Sequence, residues 1–114
     1  MHIDSYQFGR IVIDGTTYTN DCIITSGKIL PDWWRKEGHL LAVEDIKSVI
    51  ESKPSILIVG CGAYGMMKIA DNTHNFLEEN NIELLVFNTD NAVTKFNELI
   101  DKDKRIAAAL HLTC

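Results

Sequence analysis

"ILIVGCGAYG", residues 56–65, decides the reading of this chain. Four apolar residues run straight into Gly60-Cys61-Gly62-Ala63-Tyr64-Gly65, which spells the G-x-G-x-x-G of a dinucleotide-binding loop. Its surroundings do not fit that role. In a dinucleotide fold the third glycine lies inside the first turn of a helix, whose N–H groups hold the pyrophosphate. Here the first good helix-starting residues are Asp71, Asn72 and Thr73, well past Gly65. A ribose-binding carboxylate should stand about 20 residues on. Asp90 comes 30 residues after Gly60 (90 − 60) and belongs to the first turn of a later helix, where the helix dipole already accounts for it. The chain is also too short for the full set of strands. No nicotinamide, flavin or other cofactor is expected. The segment reads as a glycine turn at the carboxyl end of a buried parallel strand, the edge where open α/β sheets bind ligands. A tight packed turn and a small anion or ligand nest are both open at this point.

Working outward, the segments that follow alternate helix and strand. Val43, Ile46, Val49 and Ile50 fall at helical spacing, and Lys53-Pro54 stops that helix. Ser55–Val59 is a strand. Phe76 and Leu77, with Met67 and Ile69, suggest a second helix that starts near residue 72 and ends near Asn80-Asn81. Glu83–Phe87 is the next strand. Thr89 is read as the N-cap of a third helix carrying Ala92, Val93, Phe96, Leu99 and Ile100 on one stripe. A short link at Asp101–Lys104 leads to a last strand, Arg105–Leu112, whose three consecutive alanines indicate a covered position. Strands 55–59 and 83–87 should be parallel with a right-handed crossover, which brings Thr89 beside Gly60.

The first 30 residues are different. Tyr6–Ile13 is rich in aromatic and β-branched residues, and Asp14-Gly15 before Thr16-Thr17-Tyr18 is a hairpin signal. Cys22–Thr25, Ser26-Gly27 and Lys28–Leu30 repeat the pattern, so residues 6–30 read as short antiparallel strands. Between the two parts, "PDWWRKEGH" (31–39) is irregular and holds both tryptophans. One of Trp33 and Trp34 is expected to plug the core. The alternative for this stretch is a functional loop. The expected architecture is a single α/β domain over 1–114, β-rich in 1–30 and α/β in 43–112. No internal repeat interrupts it.

Composition narrows the function classes. The chain has 114 residues and a net charge of −5. Its adjacent basic pairs, Arg35-Lys36 and Lys104-Arg105, do not extend into a basic face, so nucleic acid and acidic membrane surfaces are not expected partners. No apolar run reaches the length of a membrane span. The N-terminal residues show neither a secretory signal nor a mitochondrial presequence. Cys22, Cys61 and Cys114 are odd in number and far apart, which favours free thiols in a reducing cytoplasm.

Few residues carry recognisable chemistry. Cys61, beside the amides of a glycine turn, is the one candidate nucleophile, and spacing identifies no base for it. His111-x-x-Cys114 on a strand places its two side chains on opposite faces, so no metal site is expected. His111 shares a face with Ala107 and Ala109 and should be hydrogen-bonded and half-buried. His39 and His74 lack spaced partners, and no Gly-x-Ser-x-Gly elbow is present.

An ordered set of motifs covers nearly the whole chain: Tyr6-x-Phe8-Gly9, Gly15-x-x-Tyr18-x-x-Asp21, Trp34-Arg35-x-x-Gly38-His39, Ile58-x-Gly60-x-Gly62, Thr89-x-x-Ala92 and Ala109-Leu110-His111-x-Thr113-Cys114. Together they resemble the small α/β family of unknown biochemical function that includes the mammalian adipogenesis-associated domain protein and mitochondrial complex I assembly factor three. The resemblance implies three layers around a mixed sheet, a last strand antiparallel to its neighbours, and extra β structure from the N-terminal part. It implies assembly or regulation through protein contacts and carries over no catalytic residues.

The leading expectation is therefore a non-catalytic, cytoplasmic binding or assembly-type domain with a protein partner. The alternative is a small-ligand or anion site, or an enzyme, at the Gly60–Gly65 loop. Its candidate residues are Gly60, Gly62 and Gly65 in the loop, Arg35 and His39 as anion contacts, and Thr89 and Asp90 on the neighbouring strand end, with Cys61 as nucleophile. Oligomeric state is not legible in one chain.

Overall fold

The computed structural model describes residues 1–103 and 105–114. Lys104, in the expected link and in one basic pair, lies outside the described residues. Three strands open the chain: β1 (Ile3–Gln7), β2 (Arg10–Ile13) and β3 (Thr16–Tyr18), paired antiparallel in that order. The stretch 6–13 is not one run. The chain reverses at Phe8-Gly9, where Gly9 takes φ 75°. Asp14 and Gly15 both have positive φ, 46° and 81°, the pairing a type I′ hairpin turn requires. A second hairpin joins β4 (Cys22–Thr25) to β5 (Lys28–Leu30) through Ser26 and Gly27, again with positive φ at both.

The chain then forms β6 (Leu40–Leu41), a 3-10 turn (Val43–Ile46), α1 (Lys47–Ser52), β7 (Ile56–Cys61), β8 (Lys68–Ile69), α2 (Asp71–Glu79), β9 (Glu83–Phe87), α3 (Thr89–Ile100) and β10 (Ile106–His111). The expected first helix is thus split into a 3-10 turn and a short α-helix, ended by Lys53 in the left-handed conformation. Met67 and Ile69 are not helical. Ile69 lies in β8, which pairs parallel with β6, and Met67 is buried.

The central sheet has the order β5-β4-β10-β7-β9. β7 is parallel to β9, and β10 is parallel to β7 but antiparallel to β4. The mixed sheet is as expected, with one correction: the last strand is antiparallel to one neighbour only. The reason is the α3 crossover, which covers the sheet once and delivers β10 running the same way as β7. Every residue of β10 is buried. Its alanines let layers approach from both sides.

Two apolar clusters fill the two faces. Ile11, Ile13, Ile24, Ile58, Phe96 and Leu110 join the N-terminal sheet and α3 to one face. Ile23, Leu57, Val59, Ala107 and Ala109 meet Leu41, Ile46, Val49 and Leu77 on the other. Fully burying each large side chain contributes about 1.5–3 kcal/mol. Directional bonds fix how the layers seat. Asn97 on α3 accepts from Ile3 N–H (2.9 Å) and donates to Ile3 C=O (2.8 Å), pinning β1 to the helix. On the opposite side the buried hydroxyl of Thr73 donates to Leu41 C=O at 2.9 Å. Thr73→Val leaves that carbonyl with one partner fewer and is expected to cost about 1–2 kcal/mol. A lower urea midpoint at unchanged m-value would show it, and an unchanged midpoint would contradict it.

Candidate functional site

The carboxyl ends of β7, β9 and β10 meet at one edge of the sheet, and most of the candidate residues gather there. Gly60, near the end of β7, and Gly62, just past it, lie beside Thr89, the first residue of α3. A Cβ built on Gly60 would lie 2.9 Å from Thr89 Oγ1 and 3.1 Å from its Cα. Only glycine lets α3 start this close to the strand. Thr89 is not the N-cap. Asn88 holds that position, and the Thr89 hydroxyl is spent elsewhere: it accepts from Gly62 N–H (2.8 Å) and donates to His111 C=O (2.6 Å). The side chain had to turn inward to tie β7 to β10, so it cannot also cap the helix.

The glycine loop turns inward as well. Ala63 N–H donates to Thr113 C=O (2.7 Å) and Met66 N–H to Cys114 C=O (3.0 Å). Gly65 N–H donates to Gly62 C=O (3.2 Å) and Met67 N–H to Cys61 C=O (3.1 Å). These amides are engaged within the protein rather than turned to solvent. The segment closing the turn is 112–114, which also accepts Gly9 N–H at Leu112 C=O (2.9 Å) and the Tyr6 hydroxyl at the same carbonyl (2.8 Å).

Arg35 and His39 lie on the other face of β10, around His111. Arg35 forms an ion pair with Asp21 (2.8 Å) and donates from Nε and Nη2 to Gly38 C=O (3.1 and 2.9 Å). Its side chain is only 5% exposed and lies over the Trp33 ring, 4.6 Å from the centroid. The arginine is thus held inside a cluster and is not offered to a ligand at the glycine loop. Asp21 accepts from His111 Nδ1 (2.8 Å) and from Leu112 N–H (2.7 Å). Burial pushes the Asp21 carboxyl up, but the bonds from His111, Leu112 N–H and Arg35 outweigh it and hold the group below its ordinary value. Arg35 Nη2 also stands 3.1 Å from this Nδ1, so the one ring nitrogen faces both a carboxylate acceptor and a guanidinium donor. Nε2 is buried without a hydrogen-bond partner. His111 is buried rather than half-buried, and exposed His39 stands edge-on to it at 5.8 Å between centroids.

Asp21 is the residue that spacing missed. It stood within one of the motifs carrying the family resemblance, but nothing local marks a lone Asp before a strand as the centre of a buried cluster. Of the tryptophans, Trp33 is the core plug, with Nε1 donating to Asp45 C=O (2.8 Å), while Trp34 is 85% exposed. Asp90 is exposed at the start of α3.

Cys61 is in register with His111 across β7 and β10 and is 4% exposed. Burial pushes its thiol up, and Lys68 and Arg35 pull it back in part. Cys22 is wholly buried, and burial drives its thiol up to about 12. Beside Cys61 a cleft of about 410 Å³ opens between the glycine loop and β9, lined among others by Met67, Lys68, His74, Phe87 and Asn88. Among the described residues no three His, Cys, Asp or Glu side chains converge as metal ligands, and no helix is long and apolar enough to cross a membrane.

Residues 3–111 match a family model described as "Protein of unknown function (DUF498/DUF598)". The fold is similar to that of a conserved hypothetical protein from Pyrococcus horikoshii OT3, at 29% identity and TM-score 0.85, with both chains covered in full. It is also similar to a protein named MT938, at 26% identity and TM-score 0.81 over 99% of this chain and 98% of that one. An outer membrane protein from Bartonella henselae shares the fold at TM-score 0.84 and 24% identity, over 98% and 94%.

Proposed function

The chain belongs to the DUF498/DUF598 family, whose biochemical function is unknown, and we propose that it is a non-catalytic binding domain of assembly type that acts through protein contacts. The supporting observation is the surface above segment 112–114. Phe8 (55% exposed), Tyr64 (71%) and Met66 (50%) stand out from the two turns that this segment fastens, and the Phe8 and Tyr64 rings lie 6.0 Å apart. Trp34, 85% exposed, and Thr113 of that segment line a common cleft of about 380 Å³. Aromatic residues and methionine are the types enriched at the buried centre of protein interfaces. Here they sit on backbone already fixed by short main-chain bonds, so little ordering cost remains on binding.

The double substitution Tyr64→Ser/Met66→Ser is expected to leave the melting temperature nearly unchanged and to remove specific partners from a co-purification survey. Identical partner sets for parent and variant would count against this surface. No specific partner, together with a demonstrated turnover, would sink the reading as a whole.

A second reading is favoured by the cleft beside Cys61, whose lining combines a thiol, the Lys68 cation and apolar Met67 and Phe87. It would take a small, partly apolar anion. Gly65 and Asn88 shape one wall, while Gly60, Gly62 and Thr89 support the loop from behind. Thermal shift against a metabolite library tests it, and the absence of any shift weighs against it.

A further inference from the structure

We propose that the free edge of β9 docks an extended segment of a partner protein, one that alternates basic and apolar side chains and joins the central sheet as a sixth strand. The proposal rests on the reading of this chain as a protein-contact domain and goes beyond the aromatic surface named for it. β9 ends the sheet order, and among the described residues β7 is its one strand partner. Glu83 N–H donates to Ser55 C=O at 3.0 Å, on the β7 side. Backbone groups alternate sides along a strand, so Glu83, Leu85 and Phe87 face β7, and Leu84 and Val86 turn their N–H and C=O outward. No residue of β9 is buried, whereas every residue of β10 is, and Val86 is 43% exposed. The two edges of the sheet differ in their protection. β5 is three residues long, carries Lys28 and is followed by Pro31, features that discourage a further strand. β9 has five residues in unbroken register, with neither proline nor lysine.

The side chains around β9 state what the added strand must carry. Leu84 packs with the cluster on the α2 side of the sheet, and Leu85 and Phe87 pack with the cluster on the α3 side. Alternation puts Val86 on the first face and Glu83 on the second. On the face of Val86 the cleft of about 410 Å³ lies open, with Met67, Ile69 and Val86 in its lining and Lys68 as its cation. An apolar side chain fits there, and a basic one would meet like charge. On the other face Glu83 opens the strand and Asp90 follows its end, both exposed and without an ion partner among the described residues. Lys95, the cation of α3, is already paired with Glu98 at 3.1 Å. Basic side chains complement this face. An alternating segment delivers both kinds at once, its main chain bonding to Leu84 and Val86. A second copy of this chain is a poorer occupant, because its β9 would bring Glu83 and no cation to the acidic face.

The probes are two capped heptapeptides, one alternating lysine with valine and the other glutamate with valine. Backbone amide NMR follows the titrations at low salt. The lysine peptide should shift the Leu84 and Val86 amide signals and slow their hydrogen exchange, and it should bind about tenfold more tightly than the glutamate peptide. No change at these two amides with millimolar lysine peptide, changes confined to other surfaces, or equal binding of both peptides overturns the proposal. Val86→Pro removes an outward N–H that the β7 ladder does not use, so the fold should persist and binding should be lost. Undiminished binding to a folded Val86→Pro overturns the proposal. If that variant unfolds, Glu83→Lys decides. It should weaken the lysine peptide by about threefold and strengthen the glutamate peptide, and unchanged affinities for both overturn the proposal. Tyr64→Ser/Met66→Ser should bind the lysine peptide as the parent does, so failure of the aromatic surface and failure of the β9 edge are read separately.

Discussion

Asp21→Ala should lower the unfolding free energy by about 3–5 kcal/mol, the usual cost of removing one partner from a buried ion pair. The loss is that large because the carboxylate serves three groups at once. It pairs with the buried Arg35 guanidinium, accepts the Nδ1 proton of His111, and accepts Leu112 N–H. Without it Arg35 keeps its charge inside the cluster, with the neutral Gly38 C=O and the His111 ring nitrogen left beside its donors. The main-chain carbonyl of Asp21 also accepts Trp33 N–H at 2.8 Å, so loosening this residue frees the 31–39 loop as well. Chemical denaturation gives the measurement. A change below about 1 kcal/mol would mean that the cluster merely breaks even against its desolvation cost.

The same residue gives the stability a pH dependence of definite sign. Its folded carboxyl is held below the unfolded value by His111, Leu112 N–H and Arg35, against the upward push of burial. The stabilisation is therefore fully present above the unfolded value of about 3.9 and is lost as pH falls through the lower, folded one. Between pH 5 and 3 the urea midpoint of the parent should fall more steeply than that of Asp21→Asn. Parallel curves would show that Asp21 titrates alike folded and unfolded.

How far the sequence led depends on whether the cause was local. β9 was legible to the residue, because Glu83 opens an apolar run, Leu84–Phe87, that lies between polar breakers. α2 began at Asp71, one residue from the expected start, because its first turn collects cap-type residues. The Asp14-Gly15 hairpin was legible because both residues tolerate positive φ. What stayed hidden was set by distant partners. β6 and β8 are two residues each and exist only because they pair with one another across 27 residues of chain (68 − 41). The direction of β10 depends on where α3 delivers it. Thr89 has the composition of a cap, and the strands on either side of it claimed its hydroxyl. At the site, the expected closeness of Thr89 and Gly60 followed from strand parallelism alone. The gathering of Asp21, Arg35 and His111 joins positions up to 90 residues apart, and no spacing rule reaches that far.

Gly62→Ala should cost about 2–6 kcal/mol, for two separable reasons. Gly62 has φ 101°, where any side chain is strained by about 1–3 kcal/mol. A Cβ there would lie 2.5 Å from both the carbonyl carbon and oxygen of Cys114 and 2.7 Å from Thr113 C=O. These are backbone atoms and cannot swing away as a flexible side-chain end would, so segment 112–114 must shift, adding about 1–3 kcal/mol of overpacking. Gly15→Ala makes the control. Its φ of 81° is similarly unfavourable, but a Cβ there meets nothing within 4 Å. The difference between the two variants isolates the clash from the backbone strain. Because 112–114 fastens both the glycine loop and the Phe8-Gly9 turn, Gly62→Ala should also raise protease sensitivity at Tyr64 and Phe8, and Gly15→Ala should not. Equal destabilisation and equal protease resistance in the two variants would mean that the close approach of Cys114 to Gly62 contributes nothing. The glycine at 62 would then be kept for its dihedral angle alone.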